Sequence, residues 1–340
     1  MNDKARYHSY MEPRNTTLPV TVRQHYVAAG YLAGFTQAGR RDSTFYVHPM
    51  DGTPVRIDKP ENVAFERNYN SIEVEGLRKD HLEGVFGERF ESPACDLFKT
   101  LSDRPGRPFL SEDEIVIAMK FLALQAARVP RSRAKYEEMV VRNGKDFLHK
   151  LATSPEFHQE VARAAADLGD DFLSQDDVQK LVGSGELQTV ADKTSLSIGI
   201  LRLTVAILEE IATMRATLWY ADGPDWFVCS DHPVALFYDM AGDIFEDPFA
   251  LEWPKVRLRT DPIYMPIARN VALVLHRIPN VPSVQRALRE MVSLVNILTM
   301  SQAMRGVFSP TPDFVCTLQG GASGRAQQGI AEIRSLHDVR

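Results

Sequence analysis

Polar residues set inside apolar runs are where this chain could do chemistry. In "FVCSDHPVALF", residues 227–237, a strand-like run is interrupted by Ser230-Asp231-His232-Pro233. Asp231 follows Trp226, Phe227 and Val228, which places its carboxylate at a sheet end, partly shielded from water. A carboxylate there must gain hydrogen bonds, a cation or a proton, and Pro233 holds His232 extended. The plainer reading is a tight turn in which Asp231 accepts backbone N–H bonds; the other is a functional acid. Gln125 and Arg128 stand i, i+3 on one helical face amid Leu122, Leu124, Ala126 and Ala127. An arginine so placed either pairs with a buried carboxylate or offers its fork to an anionic ligand. Arg131, Arg133 and Lys135 extend a positive strip, or form a solvated helix end that suits the helix dipole. His25-Tyr26 supplies an imidazole suited to proton exchange near neutral pH, although a lone histidine is more often structural. Glu83 and Glu91, eight apart, lie off a common helical face, with a kink expected near Pro93. Two such carboxylates could hold a divalent cation; solvated surface glutamates are the simpler account.

The elements that must position these groups are helix-rich. Val27, Tyr31 and Phe35 give a short first helix with His25-Tyr26 at its start. "STFYVHPMDGTPVRI" alternates as a hairpin turning at Asp51-Gly52. Apolar spacing over 77–98 predicts a helix that Pro93 splits or kinks. Ser111 and Glu114 form a capping box for a helix that Pro130 ends. Further helices are expected over 134–150, 155–168, 175–183 and 188–215, the last crossing the middle of the core. Beyond residue 216, Asp222-Gly223-Pro224-Asp225 reads as a hairpin turn, and "DPIYMPIA" with "NVALVLHR" as a strand pair. Pro282 opens a final helix running to about Arg305. The expected fold is α+β: one helix-rich domain over 21–310, with a mostly antiparallel C-terminal sheet covered by helices. Its helical part covers 75–215, its strands 216–280 and its final helix 282–305. Residues 1–20 read as an extended arm, and 311–340, with the glycine-rich "LQGGASGR", as a flexible tail.

Composition narrows the classes. The chain has 340 residues, 44% hydrophobic and 25% charged, with a formal net charge of −6. That excludes a uniformly basic, nucleic-acid-coating surface but leaves room for a local basic groove. Cys95, Cys229 and Cys316 are dispersed and odd in number, with no spacing for zinc or a disulfide framework. The N-terminal stretch lacks the apolar core of a secretory signal, and no run approaches a membrane span. A cytoplasmic protein is therefore expected. Phosphate-binding loops, dinucleotide fingerprints, nucleophile elbows and HExxH are missing.

"QHYVAAGYLAGF", "FLALQAARVPRSR", "FVCSDHPV" and "IYMPIARNVALVL", in this order, resemble the bacterial domain-of-unknown-function 4238 family over roughly residues 23–309. The family pattern falls on His25, Tyr26, Gln125, Arg128, Ser230, Asp231, Pro233 and Asn296. Ala28 stands where a proline is usual, and Cys229 where a threonine is usual. The resemblance implies that these polar residues belong together, and two functions are then open. The first is a hydrolase, nuclease- or phosphodiesterase-like, acting on an anionic substrate or nucleic acid, with a role as an effector in bacterial conflict and defence as its expected setting. In it Arg128 binds the anion, Asp231 positions a metal or general base, and His25 moves the proton. Tyr26, Gln125 and Ser230 complete the substrate site. The second is a non-catalytic ligand-binding or protein-interaction module in which an Arg128–Asp231 ion pair is structural; a subunit acting with a partner protein is a variant of it.

Overall fold

The computed structural model describes residues 19–104, 109–185, 189–236 and 261–337. The expected N-terminal arm, but for residues 19 and 20, lies outside them, as does Phe237. In chain order, β1 (Arg23–His25) leads to a short α1 (Ala29–Leu32) and a 3-10 turn, Ala33–Phe35. Strands β2 (Phe45–Pro49), β3 (Arg56–Asp58) and β4 (Phe65–Arg67) follow. Then come α2 (His81–Phe86), a π turn over Gly87–Glu91, and α3 (Ser92–Asp103). The helical region continues with α4 (Glu112–Arg128), α5 (Pro130–Thr153), α6 (Pro155–Asp167), α7 (Gln175–Gly183) and α8 (Lys193–Ile211). After it run β5 (Arg215–Ala221), β6 (Cys229–Ser230), β7 (Ala235–Leu236), β8 (Ile263–Ala268), β9 (Val271–His276) and β10 (Val284–Ala287). The chain closes with α9 (Arg289–Gln302), β11 (Gly306–Ser309), β12 (Val315–Thr317), β13 (Ser323–Arg325) and α10 (Ala326–His337).

The fold is α+β, with several mostly antiparallel sheets. Five strands run in the order β10-β5-β9-β8-β7, and four more in the order β3-β2-β11-β6. The second sheet joins the N-terminal hairpin to a strand more than two hundred residues later, pairing Val47 with Phe308. Strand β1 pairs with β4, setting His25 opposite Phe65. Helix α4 begins where the capping box places it: Ser111 Oγ accepts from Glu114 N–H, and the Glu114 carboxylate accepts from Ser111 N–H. It packs along α8, and Phe121, Leu122, Leu124, Ile200, Leu203 and Ile207 fill the largest core cluster.

Four expectations are corrected. His25-Tyr26 lies in and just after a strand, not at a helix start. Pro93 does not split its helix: the π turn ends two residues before it, so the chain runs unbroken from His81 to Asp103. A proline ring opposes the carbonyl four residues back, and the widened turn falls where that crowding would arise. The stretch after Pro282 is first a strand, β10, paired parallel with β5, and the helix begins only at Arg289. The 222–225 turn joins strands of two different sheets, not a hairpin.

The supposed tail is also structured as far as residue 337. Gly320 and Gly321 adopt φ of 80° and 83°, the left-handed conformations that turn β12 into β13. Gly324 has no room for a side chain, because a Cβ there would come within 2.5 Å of Leu318. Helix α10 sets Ala326, Ile330 and Ile333 against Met50, Val228, Met300 and Phe314. Replacing the 4% exposed Ile333 by alanine should therefore lower stability by about 2–5 kcal/mol in urea unfolding. A loose tail would leave the curve within about 0.5 kcal/mol of the parent.

Candidate functional site

Arg128 ends α4 in the interior, its side chain 0% exposed. Pro130 starts the next helix and forces Val129 to be extended, so the guanidinium is held at a corner between two helices. Nε donates to the Tyr26 carbonyl at 2.9 Å, and Nη2 pairs with Glu91 Oε1 at 2.5 Å. With its amide oriented to suit its neighbours, Gln125 accepts from Nη2 at 2.7 Å and donates to the same carbonyl at 3.3 Å. The Arg128 carbonyl accepts from Tyr69 Oη at 2.8 Å, and the Phe86 ring centre lies 5.7 Å from the guanidinium. Nη1 has no partner among the described residues.

Glu91 reaches this corner because of the π turn. In an unbroken α-helix, residues eight apart differ by about 80° around the axis. A π turn inserts one extra residue, so Glu83 and Glu91 are related as residues seven apart, about 20° from alignment. Glu83 accepts from Asn70 Nδ2 at 2.9 Å. Burial raises its pKa, with Arg128 opposing and Glu91 reinforcing the rise. The His25 ring lies 5.6 Å from Phe65, and its Nε2 is buried without a partner among the described residues. Burial, then the nearby Arg128 charge, lower its pKa to about 4, so the imidazole is neutral at pH 7. His25, Tyr26, Gln125 and Arg128 thus meet, with Glu83 and Glu91 added. Sequence spacing alone could not align those two carboxylates, since it carries no sign of the π turn.

Asp231 and Ser230 belong to a second cluster. The 1% exposed Asp231 accepts backbone N–H bonds from Met304 at 3.0 Å, Arg305 at 3.1 Å and Gly306 at 3.3 Å. Burial pushes its carboxyl upward, and these three amides pull the other way. Ser230 Oγ donates to the His232 carbonyl at 2.8 Å and accepts from the His232 amide at 3.1 Å. The expected Arg128–Asp231 ion pair is replaced by Arg128–Glu91. Tyr26 links the clusters, because its carbonyl receives Arg128 while its hydroxyl accepts from Arg305 Nη1 at 3.2 Å. Asn296 is fully engaged as well, accepting from Val228 N–H and donating to the Trp226 and Val315 carbonyls.

A cleft of about 470 Å³ was not anticipated from the sequence. Arg40, Arg41, Lys99 and Arg269 line it, opposed by Asp96 and Asp103, an excess of two positive charges. Arg269 lies over Trp226 at 5.2 Å and donates to the Thr36 and Gln37 carbonyls. Lys99 reaches Asp103 at 3.5 Å and Arg40 reaches Asp42 at 3.2 Å, while the exposed Arg41 has no partner among the described residues. Cys95 joins cleft to corner, lining the first and feeling the charges of Glu91 and Arg128. The Arg40-Arg41 pair was the available sequence signal. Among the described residues, no three His, Cys, Asp or Glu side chains are grouped to hold a metal, and no helix is long and apolar enough to cross a membrane.

Residues 23–313 match the family described as "Protein of unknown function (DUF4238)", and the chain belongs to that family. No curated protein and no solved structure matches it.

Two measurements check these assignments. Arg128→Ala strands Glu91 and the Tyr26 carbonyl, and should lower unfolding free energy by about 3–5 kcal/mol. A normal melting temperature would contradict the arrangement. His25, His48 and His232 all have pKa values lowered to about 4, chiefly by burial. The unfolded chain, with ordinary histidines near 6.5, binds more protons between the two values. Stability should then fall as pH drops from about 6.5 to 4, each histidine adding up to about 1.4 kcal/mol per pH unit. Thermal melts across that window that stayed flat would refute the shifts.

Proposed function

We propose that this chain is a binding module for a small anionic ligand, with the cleft lined by Arg41, Arg269 and Trp226 as its site. One observation carries the reading: a positively lined hollow on a protein whose net charge is −6. Such a local reversal of sign concentrates anions at the cleft. Its 470 Å³ falls within the range of about 300–1,000 Å³ typical of ligand pockets. Trp226 offers an apolar face and Arg41 an uncommitted fork suited to phosphate or carboxylate. In this reading His25, Tyr26, Gln125, Arg128, Ser230 and Asp231 hold the walls rather than the ligand.

The hydrolase reading retains one supporting observation. Arg128 Nη1 and His25 Nε2 both lack partners among the described residues and lie near a carboxyl, Glu83, whose pKa is raised. A raised carboxyl beside a neutral imidazole is an arrangement that acid–base chemistry uses. Against it, both free nitrogen atoms are buried, and Asp231 is occupied by three amides. A role in bacterial defence would accompany either activity and has no residue of its own to support it.

Calorimetric titration with pyrophosphate and with adenosine monophosphate separates the readings. Binding that weakens at least about tenfold in Arg41→Glu, with an unchanged melting temperature, is expected. Hydrolysis of bis(p-nitrophenyl) phosphate that survives Arg41→Glu and disappears in the still-folded His25→Gln would favour the enzyme instead.

A further inference from the structure

The charges lining the cationic cleft divide by whether another side chain already neutralises them. Arg40 is paired with Asp42, and Lys99 with Asp103. Arg269 donates through Nη1 to the Thr36 and Gln37 carbonyls, which satisfies that nitrogen but cancels no charge. Arg41 and Asp96 are exposed and line the cleft, and neither side chain makes a hydrogen bond or ion pair among the described residues. Two guanidinium charges and one carboxylate are therefore left uncompensated in one hollow.

Three segments bring these charges together. Asp96 stands on α3, whose Cys95, Phe98, Lys99 and Ser102 recur at helical spacing along the cleft wall. Arg41 comes from the loop after the Ala33–Phe35 turn, and Arg269 from the turn between β8 and β9. The Cys95 thiol lies within the field of the two unpaired side chains. Burial, then the charges of Glu91 and Asp96, push its pKa up to about 12, while Arg128 and Arg41 pull it down. Asp96 and Arg41 thus act on one sulfur from the same cleft, yet they do not pair with each other.

We propose that this cleft takes a small zwitterion with one ammonium and two carboxylates, that is, an acidic α-amino acid; the proposal rests on the reading of the cleft as an anion site. Asp96 receives the ammonium and Arg41 one carboxylate. Arg269 faces the other carboxylate with the nitrogens it does not spend on carbonyls. A ligand of net charge −1 then meets an uncompensated charge of +1. A plain dianion would instead set a negative group against Asp96, and such a like-charge contact is how a site rejects wrong ligands. The 470 Å³ of the cleft admits a molecule of this size.

Calorimetric titration with L-glutamate and L-aspartate, set against glutarate and succinate, isolates the ammonium, because each diacid keeps both carboxylates and lacks only that group. The better-bound amino acid should bind at least about tenfold more tightly than its diacid. Asp96→Asn, at an exposed position, should erase that difference without altering the melting temperature, weakening the amino acid but not the diacid. Arg41→Glu should weaken both. A diacid that binds as tightly as its amino acid, or undiminished amino-acid binding in Asp96→Asn, overturns the proposal and leaves the anion site standing. Arg41-dependent binding of pyrophosphate with no binding of either amino acid does the same. If none of these ligands binds, the anion site falls as well.

Discussion

A guanidinium without exposed surface is the constraint that the N-terminal half must satisfy. Taking such a charge out of water carries a penalty of several kcal/mol, repaid only when its donors meet well-placed acceptors. Arg128 draws those acceptors from three places: the carbonyl between β1 and α1, the amide of Gln125 one turn back, and the carboxylate of Glu91. The Tyr26 and Glu91 contacts each fix one segment against α4, and Gln125 braces the guanidinium from within that helix. Because apolar packing is nearly indifferent to direction, these directional bonds set how the segments are rotated and registered. The π turn follows the same logic. Without the inserted residue, Glu91 would face away from the corner, and the helix would bury a cation with no anion.

Asp231 is the complementary case, a buried carboxylate held by three successive backbone amides at the start of β11. Strand β11 in turn joins β2 to β6, so the carboxylate closes a sheet whose members come from distant parts of the chain. Tyr26 lies between them, accepting from Arg128 through its carbonyl and from the Arg305 guanidinium through its hydroxyl. The two clusters are thereby bridged by one side chain and its peptide.

Much of the fold was legible in the sequence where local physics decides it. The Ser111–Glu114 box, Pro155, the Asp51-Gly52 turn and the β8–β9 pair all appear where composition and period place them. Arg128 was legible as an anomaly, a charge in an apolar stripe, but its partner was not. Pairing was the general failure. Nothing local tells β2 to pair with β11, or turns the residues after Pro282 into a strand beside β5. Glycines misled in a specific way: "LQGGASGR" looked flexible, yet two of its glycines supply left-handed turns and a third makes room for Leu318. The cationic cleft was invisible because it is assembled from segments far apart in the chain.

The polar residues singled out in the sequence can now be weighed by what their atoms are doing. Tyr26, Gln125, Arg128, Ser230, Asp231 and Asn296 stand at intervals along the chain, and their hydrogen-bonding groups are mostly engaged with backbone. A catalytic set needs the opposite: donors and acceptors left open until substrate arrives. A scaffold set needs directional anchors where remote segments meet, because closing long loops is opposed by entropy and apolar contacts alone leave the register degenerate. The Arg41 guanidinium, without a partner among the described residues, lies outside that set. On the reading proposed above, the anchors of the fold and the residues that would meet a ligand are different side chains.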